Sequence, residues 1–343
     1  MASVDLADVQ GLILRGYTMP VGRHLGLSVH ESGAAREFLS ALSGSDPAVP
    51  SVTTAEPWPA KPDCCVNLGI TYSGLAALGV PQQRLAGFPA EFAQGAPGRA
   101  DRVGDIGTSA PDQWLPWLRD PGPHLLFSLF AQSGDALESV TKQLEQAWHP
   151  GCIEVGRCDG AWLPGNIAHF GYRDGLSQPT IEDVPLAGLP DSLPRAKLGD
   201  FLLGSHVRRM HPRGQRVVGD GGHLHRIVRR GIPYGPPFDP AHPHDGQARG
   251  LLGLFIGVSM RDQFEFLMAE WANDGRFTAG LGSTKDPLLG DNADGSGRFS
   301  IPRPEGTLVL EGFSRFITTL GGAYCFLPSM SGIRYLADLA PSS

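Results

Sequence analysis

Glycine (46) and proline (30) are spread through all 343 residues without a period, and no other feature constrains the fold as strongly. A chain of this kind turns often and carries long ordered loops, which disfavours a helical bundle and argues against collagen-like or low-complexity structure. The apolar fraction of 41% suffices to bury a substantial core, in one large domain or two of ordinary size. No internal repeat of short period subdivides the chain.

Local patterns predict an α+β architecture. In the first half, Gly11–Arg15, Cys64–Ile70, Leu125–Phe130 and Cys152–Gly156 read as strands. Ser73–Leu78 and Ala136–Ala147 read as helices, the second with Leu137, Val140, Leu144 and Ala147 at helical spacing. In the second half, the continuous apolar run Leu251–Val258 reads as a central strand. Gln263–Asp274 reads as a helix with Phe266, Leu267, Glu270 and Trp271 near one face, and Thr307–Glu311 and Ala323–Leu327 as closing strands. Strands alternating with helices over long connections suit sheets covered by helices. Between Gly160 and Pro194 periodicity fades and Gly, Pro and Asp accumulate, so the domain junction is placed near residue 165, dividing the chain into 1–165 and 166–343.

A net charge of −7 with scattered Lys and Arg leaves no electrostatic footprint for nucleic acid or for an anionic membrane. No apolar run is long enough to span a bilayer. The start of the chain, Met1-Ala2-Ser3-Val4-Asp5, carries neither a signal-peptide pattern nor a twin-arginine motif. Five cysteines without CxxC spacing (Cys64, Cys65, Cys152, Cys158, Cys325) argue against a disulfide framework and a structural zinc site. A reducing, cytoplasmic setting fits this usage.

Three segments carry chemistry. The first is Gly171-Tyr172-Arg173-Asp174-Gly175, a carboxylate between glycines, where backbone can approach a flat ligand closely. On its own it is first a turn signal. The second is Gly204-Ser205-His206-Val207-Arg208-Arg209-Met210-His211, and the third is Ile227-Val228-Arg229-Arg230-Gly231-Ile232-Pro233-Tyr234-Gly235. A single His is more often structural than a ligand, and eleven are present. An Arg doublet is more often a solvated face.

In this order the three segments resemble the haem-site signatures of the dye-decolorizing peroxidase family. The resemblance runs over nearly the whole chain, from Asp8-Val9-Gln10-Gly11-Leu12-Ile13 through Gly104-Asp105-Ile106-Gly107 to Asp286-Pro287-Leu288-Leu289-Gly290 and Gly321-Gly322-Ala323-Tyr324-Cys325-Phe326-Leu327-Pro328. The chain is short for the branch whose motifs it carries. The resemblance implies two ferredoxin-like modules, each an antiparallel β-sheet with packed helices, of the dimeric α+β barrel-like superfamily. One haem b per chain is then expected in the C-terminal module.

It also implies roles. His206 matches the proximal iron ligand, with His211 as the local competitor, and Asp286 is the candidate carboxylate partner of that His. Asp174 matches the distal acid that moves a proton between the two peroxide oxygens, which predicts an acidic optimum. Arg229 matches the fixed distal cation. Neighbours on a strand alternate, so Arg230 is left outside the pocket. Arg208 suits a haem propionate, Gly171 and Gly175 frame the distal loop, and Leu254 and Ile256 wall the distal pocket, with Phe255 on the other face. Tyr234 and Trp271 match positions linked to radical relays. Leu320 departs from the family, which usually has Arg there.

The expected activity is a haem peroxidase (EC 1.11.1.-) that reduces H2O2 and oxidises organic donors such as dyes and phenols in one-electron steps through a ferryl species. The alternatives are a specialised biosynthetic haem enzyme on the same fold and a non-catalytic haem-binding protein. The expected partners are H2O2 and an organic electron donor, without nucleic acid or membrane. Closed homo-oligomers are common for such modules.

Overall fold

The computed structural model describes residues 4–165, 167–171, 204–211, 222–277, 281–292, 295, 297–301, 303 and 305–340. The first half is built on strands β1 (Val21–Val29), β2 (Cys64–Ile70), β3 (Leu125–Ala131) and β4 (Cys152–Ala161), all antiparallel to their neighbours in the order β2-β3-β1-β4. The helix Ser32–Ser40 follows β1 and the helix Gly134–Trp148 follows β3. This is the βαββαβ arrangement of a ferredoxin-like module.

One sheet face, carrying Leu25, Leu27, Leu68, Ile70, Phe127 and Leu129, packs on Phe38, Leu39, Leu137, Val140, Leu144 and Trp148 of the two helices. Phe127 is completely buried, and such a side chain contributes about 2 kcal/mol. The helix Gly134–Trp148 is started by Ser133, whose hydroxyl accepts from the Ala136 amide. The terminal helix Met330–Ala337 returns to this core and buries Met330, Ile333 and Leu336 in it, although the sequence groups it with the second domain.

The second half contributes β5 (Val228–Tyr234) paired with β6 (Gly250–Ile256), and β7 (Gly297–Ile301) paired with β8 (Leu308–Phe313), both antiparallel. Helical turns run over Met260–Glu265 and Leu267–Ala272. β5 docks on the free face of the first sheet through Ile232, which is 1% exposed. It sits over Gly22 and Gly160, which are cross-strand partners. A methyl group on Gly160 would come within 2.8 Å of Ile232 Cγ2 and 2.9 Å of the Pro233 carbonyl oxygen. Small residues on both strands make the notch that lets the two halves meet.

Two readings from sequence are corrected. Gly11–Leu14 is a short helix, not a strand; its amides reach the Thr53 carbonyl and the Asn67 side chain rather than joining a sheet ladder. Residues 323–327 do not form a strand; Phe326 makes an isolated bridge to Ile70.

Candidate haem-ligand and distal site

The helix His206–Met210 begins after Ser205, and the carbonyl of Ser205 receives the amides of Arg208 and Arg209. His206 projects from this first turn with its side chain 27% exposed. Its Nδ1 lies 3.0 Å from Asp286 Oδ2. Asp286 is fully buried, and its second oxygen, Oδ1, accepts the amides of Leu288 at 2.8 Å and Leu289 at 3.0 Å. Asp286 is therefore both the turn initiator that Asp-Pro suggests and the partner of His206. Burial works to raise its pKa, but the bond and charge of His206 and the two amides outweigh that and hold the carboxyl below its usual range. A carboxylate on Nδ1 fixes the proton there and leaves the Nε2 lone pair for a metal.

Strand alternation puts the two arginines on opposite faces of β5. Arg230 is 7% exposed and donates from Nε to the Leu12 carbonyl, while Arg229 lies on the opposite, exposed face. The register of β5 against β6 separates Leu254 and Ile256 from Arg229. Residues directly opposite on an antiparallel pair share a face, and Arg229 stands opposite Phe255, with Arg230 opposite Leu254. Leu254 and Ile256 thus belong to Arg230's face and pack on Leu12, Tyr17, Met19, Cys65 and Phe130 of the first half. They do not accompany Arg229. Phe255, which the sequence reading set aside, does; it is 46% exposed, and its ring centroid is 5.2 Å from that of Phe264. The strand register between β5 and β6, hidden in the sequence by the long loop between them, decides this.

The other candidates are distributed as follows. Gly171 has φ +78°, a left-handed conformation suited to glycine. Asp174 and Gly175 lie outside the described residues. Arg208 is buried, and half-buried His211 closes the helix. Tyr234 is half-buried over Gly250, and burial pushes its phenol pKa up. Trp271 is 2% exposed, among Leu267, Phe277 and Leu281. Leu320 is exposed, and its carbonyl accepts the Leu115 amide.

The donor set fits haem. One imidazole is oriented by a buried carboxylate, and a face with a cation and exposed aromatic and aliphatic side chains (Arg229, Phe255, Leu251) offers a flat apolar surface beside a fixed charge.

No family model matches the chain. Curated relatives do, over almost its full length. Peroxidase 2 of Mycetinis scorodonius is 22% identical across 96% of this chain and 87% of its own length. A dye-decolorizing peroxidase of Exidia glandulosa is 22% identical across 97% and 87%. Among solved structures, a dye-decolorizing peroxidase in complex with 2,6-dimethoxyphenol superposes with a TM-score of 0.81 at 20% identity, covering 97% of this chain and all of that one. A fungal peroxidase of the same type from Auricularia auricula-judae gives 0.79 at 20% identity over 98% of this chain and all of that one. These likenesses establish the fold as α+β of the ferredoxin-like kind. In fold and over almost its whole length, the chain is similar to dye-decolorizing peroxidases.

Proposed function

We propose that this protein is a haem peroxidase that reduces hydrogen peroxide and oxidises organic donors of the dye and phenol class in one-electron steps. The observation that carries the reading is the bond between His206 Nδ1 and the buried Asp286 carboxylate. An imidazole held in this way would be a strongly basic ligand to a bound metal.

Haem b, one per chain, supplies the redox chemistry when bound. His206 would hold the iron through Nε2, while Asp286 keeps that ring oriented and basic through Nδ1. Arg208 would serve a propionate, and Gly171, with its left-handed backbone, would leave room for a flat ligand; Gly175, expected beside it, lies outside the described residues. Asp174, outside the described residues, would move a proton between the two oxygens of the peroxide substrate. Arg229 would supply a fixed positive charge for negative charge developing on the peroxide substrate, and Phe255, opposite it in the strand pair, would help keep water from that side. Tyr234 and Trp271 are the candidate relay residues, with half-buried Tyr234 better placed to meet a bulky donor than enclosed Trp271.

The division into 1–165 and 166–343 remains the preferred domain assignment, with the last helix returning to the first domain. All five cysteines are free thiols, which suits a reducing, cytoplasmic setting. No helix among the described residues is long and apolar enough to cross a membrane.

Stopped-flow spectroscopy of the haem-loaded protein with peroxide tests the reading. Wild type is expected to react rapidly, and Asp174→Asn and Arg229→Leu each to slow the first step by at least about 100-fold, the scale of losing one acid–base or charge-stabilising group. If neither variant slows it, the distal assignment is wrong.

A further inference from the structure

Arg209, next to the residue assigned to a propionate, has a different environment. It is completely buried. Its Nε donates to the Gly204 carbonyl at 3.0 Å, Nη1 to the Trp271 carbonyl at 3.0 Å, and Nη2 to the Thr284 carbonyl at 2.5 Å and Thr284 Oγ1 at 3.2 Å. The guanidinium also stacks over Phe277, 5.1 Å from the ring centroid.

These acceptors lie on three segments that converge on the His206–Asp286 pair. Gly204 is two residues before His206, and Thr284 is two before Asp286. Trp271 precedes Ala272, whose carbonyl receives the Asp286 amide at 2.7 Å. Two adjacent carbonyls at one helical end therefore hold Arg209 and Asp286 side by side. Thr284 is itself 3% exposed and donates its hydroxyl to the Leu281 carbonyl. Desolvation depresses the pKa of Arg209, while the negative charge of Asp286 opposes that loss, which agrees with the carboxylate lying within electrostatic reach.

A planar fork that donates to three carbonyls in different directions is something only arginine provides. Lysine brings the charge without the spread of donors. A buried cation spent on neutral acceptors is costly, and here it fixes the relative position of the residues on either side of a 3.0 Å bond.

We infer that Arg209 is a positioning residue that staples the His206 turn, the Trp271 helical end and the Asp286 loop together, and so sets the strength of the His206–Asp286 hydrogen bond. The inference rests on the reading of His206 as iron ligand. It gives Arg209 no contact with peroxide, donor or iron.

The test is the iron–histidine stretching frequency of the ferrous, haem-loaded protein by resonance Raman, with Asp286→Asn as the reference for a lost carboxylate. Asp286→Asn is expected to lower the frequency. Arg209→Lys is expected to lower it part of the way, and Arg209→Lys combined with Asp286→Asn to go no further than Asp286→Asn alone. Thr284→Val, which removes only the hydroxyl, is expected to give a smaller shift in the same direction; it carries the test if Arg209→Lys does not fold. If Arg209→Lys folds and keeps the wild-type frequency, or if it fails to fold and Thr284→Val keeps it, the staple is overturned, whatever happens to melting temperature. If Asp286→Asn itself leaves the frequency unchanged, the pair does not act on the iron; the reading beneath this inference then falls, and the inference with it.

Discussion

Asp286 divides its carboxylate between two tasks, giving Oδ2 to His206 at 3.0 Å and Oδ1 to the amides of its own turn. The turn therefore aims the oxygen that orients the imidazole, and the loop fold and the ligand geometry are one construction.

This separates two effects of Asp286→Asn. An asparagine retains an oxygen for the Leu288 and Leu289 amides, so the fold should lose only about 1–2 kcal/mol, the scale of a weakened hydrogen bond to a charged group. Turnover with peroxide should fall far more than that. Urea denaturation beside peroxide kinetics checks both; a collapse of stability with unimpaired kinetics in the folded fraction contradicts the assignment.

Arg229 and Arg230 should divide function from stability. Arg229→Leu removes a largely exposed cation and should cost no more than about 1 kcal/mol, the range of an exposed ion pair, while slowing the reaction with peroxide as stated above. Arg230→Leu strips the bond to the Leu12 carbonyl at the junction of the two halves, and should cost about 1–3 kcal/mol with peroxide kinetics close to wild type in the folded protein. The reverse pattern would mean that the two residues exchange faces.

Much of this was legible in the sequence because it depends on local pattern. β2, β3 and the helix Gly134–Trp148 announce themselves through unbroken or periodic apolar residues. β1, an inner strand of the first sheet, does not. Gly22, Arg23, His24 and Gly26 interrupt its pattern, and their reasons are tertiary: the glycines admit Ile232 and Trp117, and Arg23 pairs with Asp159 and Glu138. The same holds at the site. His206, Asp286 and the order of the two arginines follow from motif and alternation. The true companion of Arg229 depends on the register of β5 against β6, and the commitment of Arg209 to carbonyls depends on segments up to 75 residues away.

The glycine notch should be intolerant of a single methyl. Gly160→Ala would place Cβ at 2.8 Å from Ile232 Cγ2, and such overpacking costs about 1–3 kcal/mol. Ile232→Ala combined with it should lose less than the sum of the two single variants, because the clash is between these two residues. Strict additivity in denaturation experiments would show that they do not meet.

Asp105 gives a pH signature. Burial pushes its carboxyl up to about 6 from 3.8, against the bond from the Thr319 hydroxyl and the charge of Arg315. The native state thus holds this proton more tightly than the unfolded chain. Its contribution favours the fold at low pH, declines as pH rises from about 3.8 to about 6, and is a constant cost above that, on the order of 2–3 kcal/mol. Asp105→Asn lacks the ionisation. Its stability relative to wild type should therefore rise between pH 4 and pH 6 and level off above. A difference that does not vary across that range would place the Asp105 titration elsewhere.

The axial ligand is tested most directly by His206→Ala, purified with haem supplied, its haem content measured and its iron coordination followed by visible and electron paramagnetic resonance spectroscopy. Loss of most of the haem, or loss of the histidine-ligated signal from what remains, is the expected result. Wild-type haem content with an unchanged coordination spectrum would contradict it.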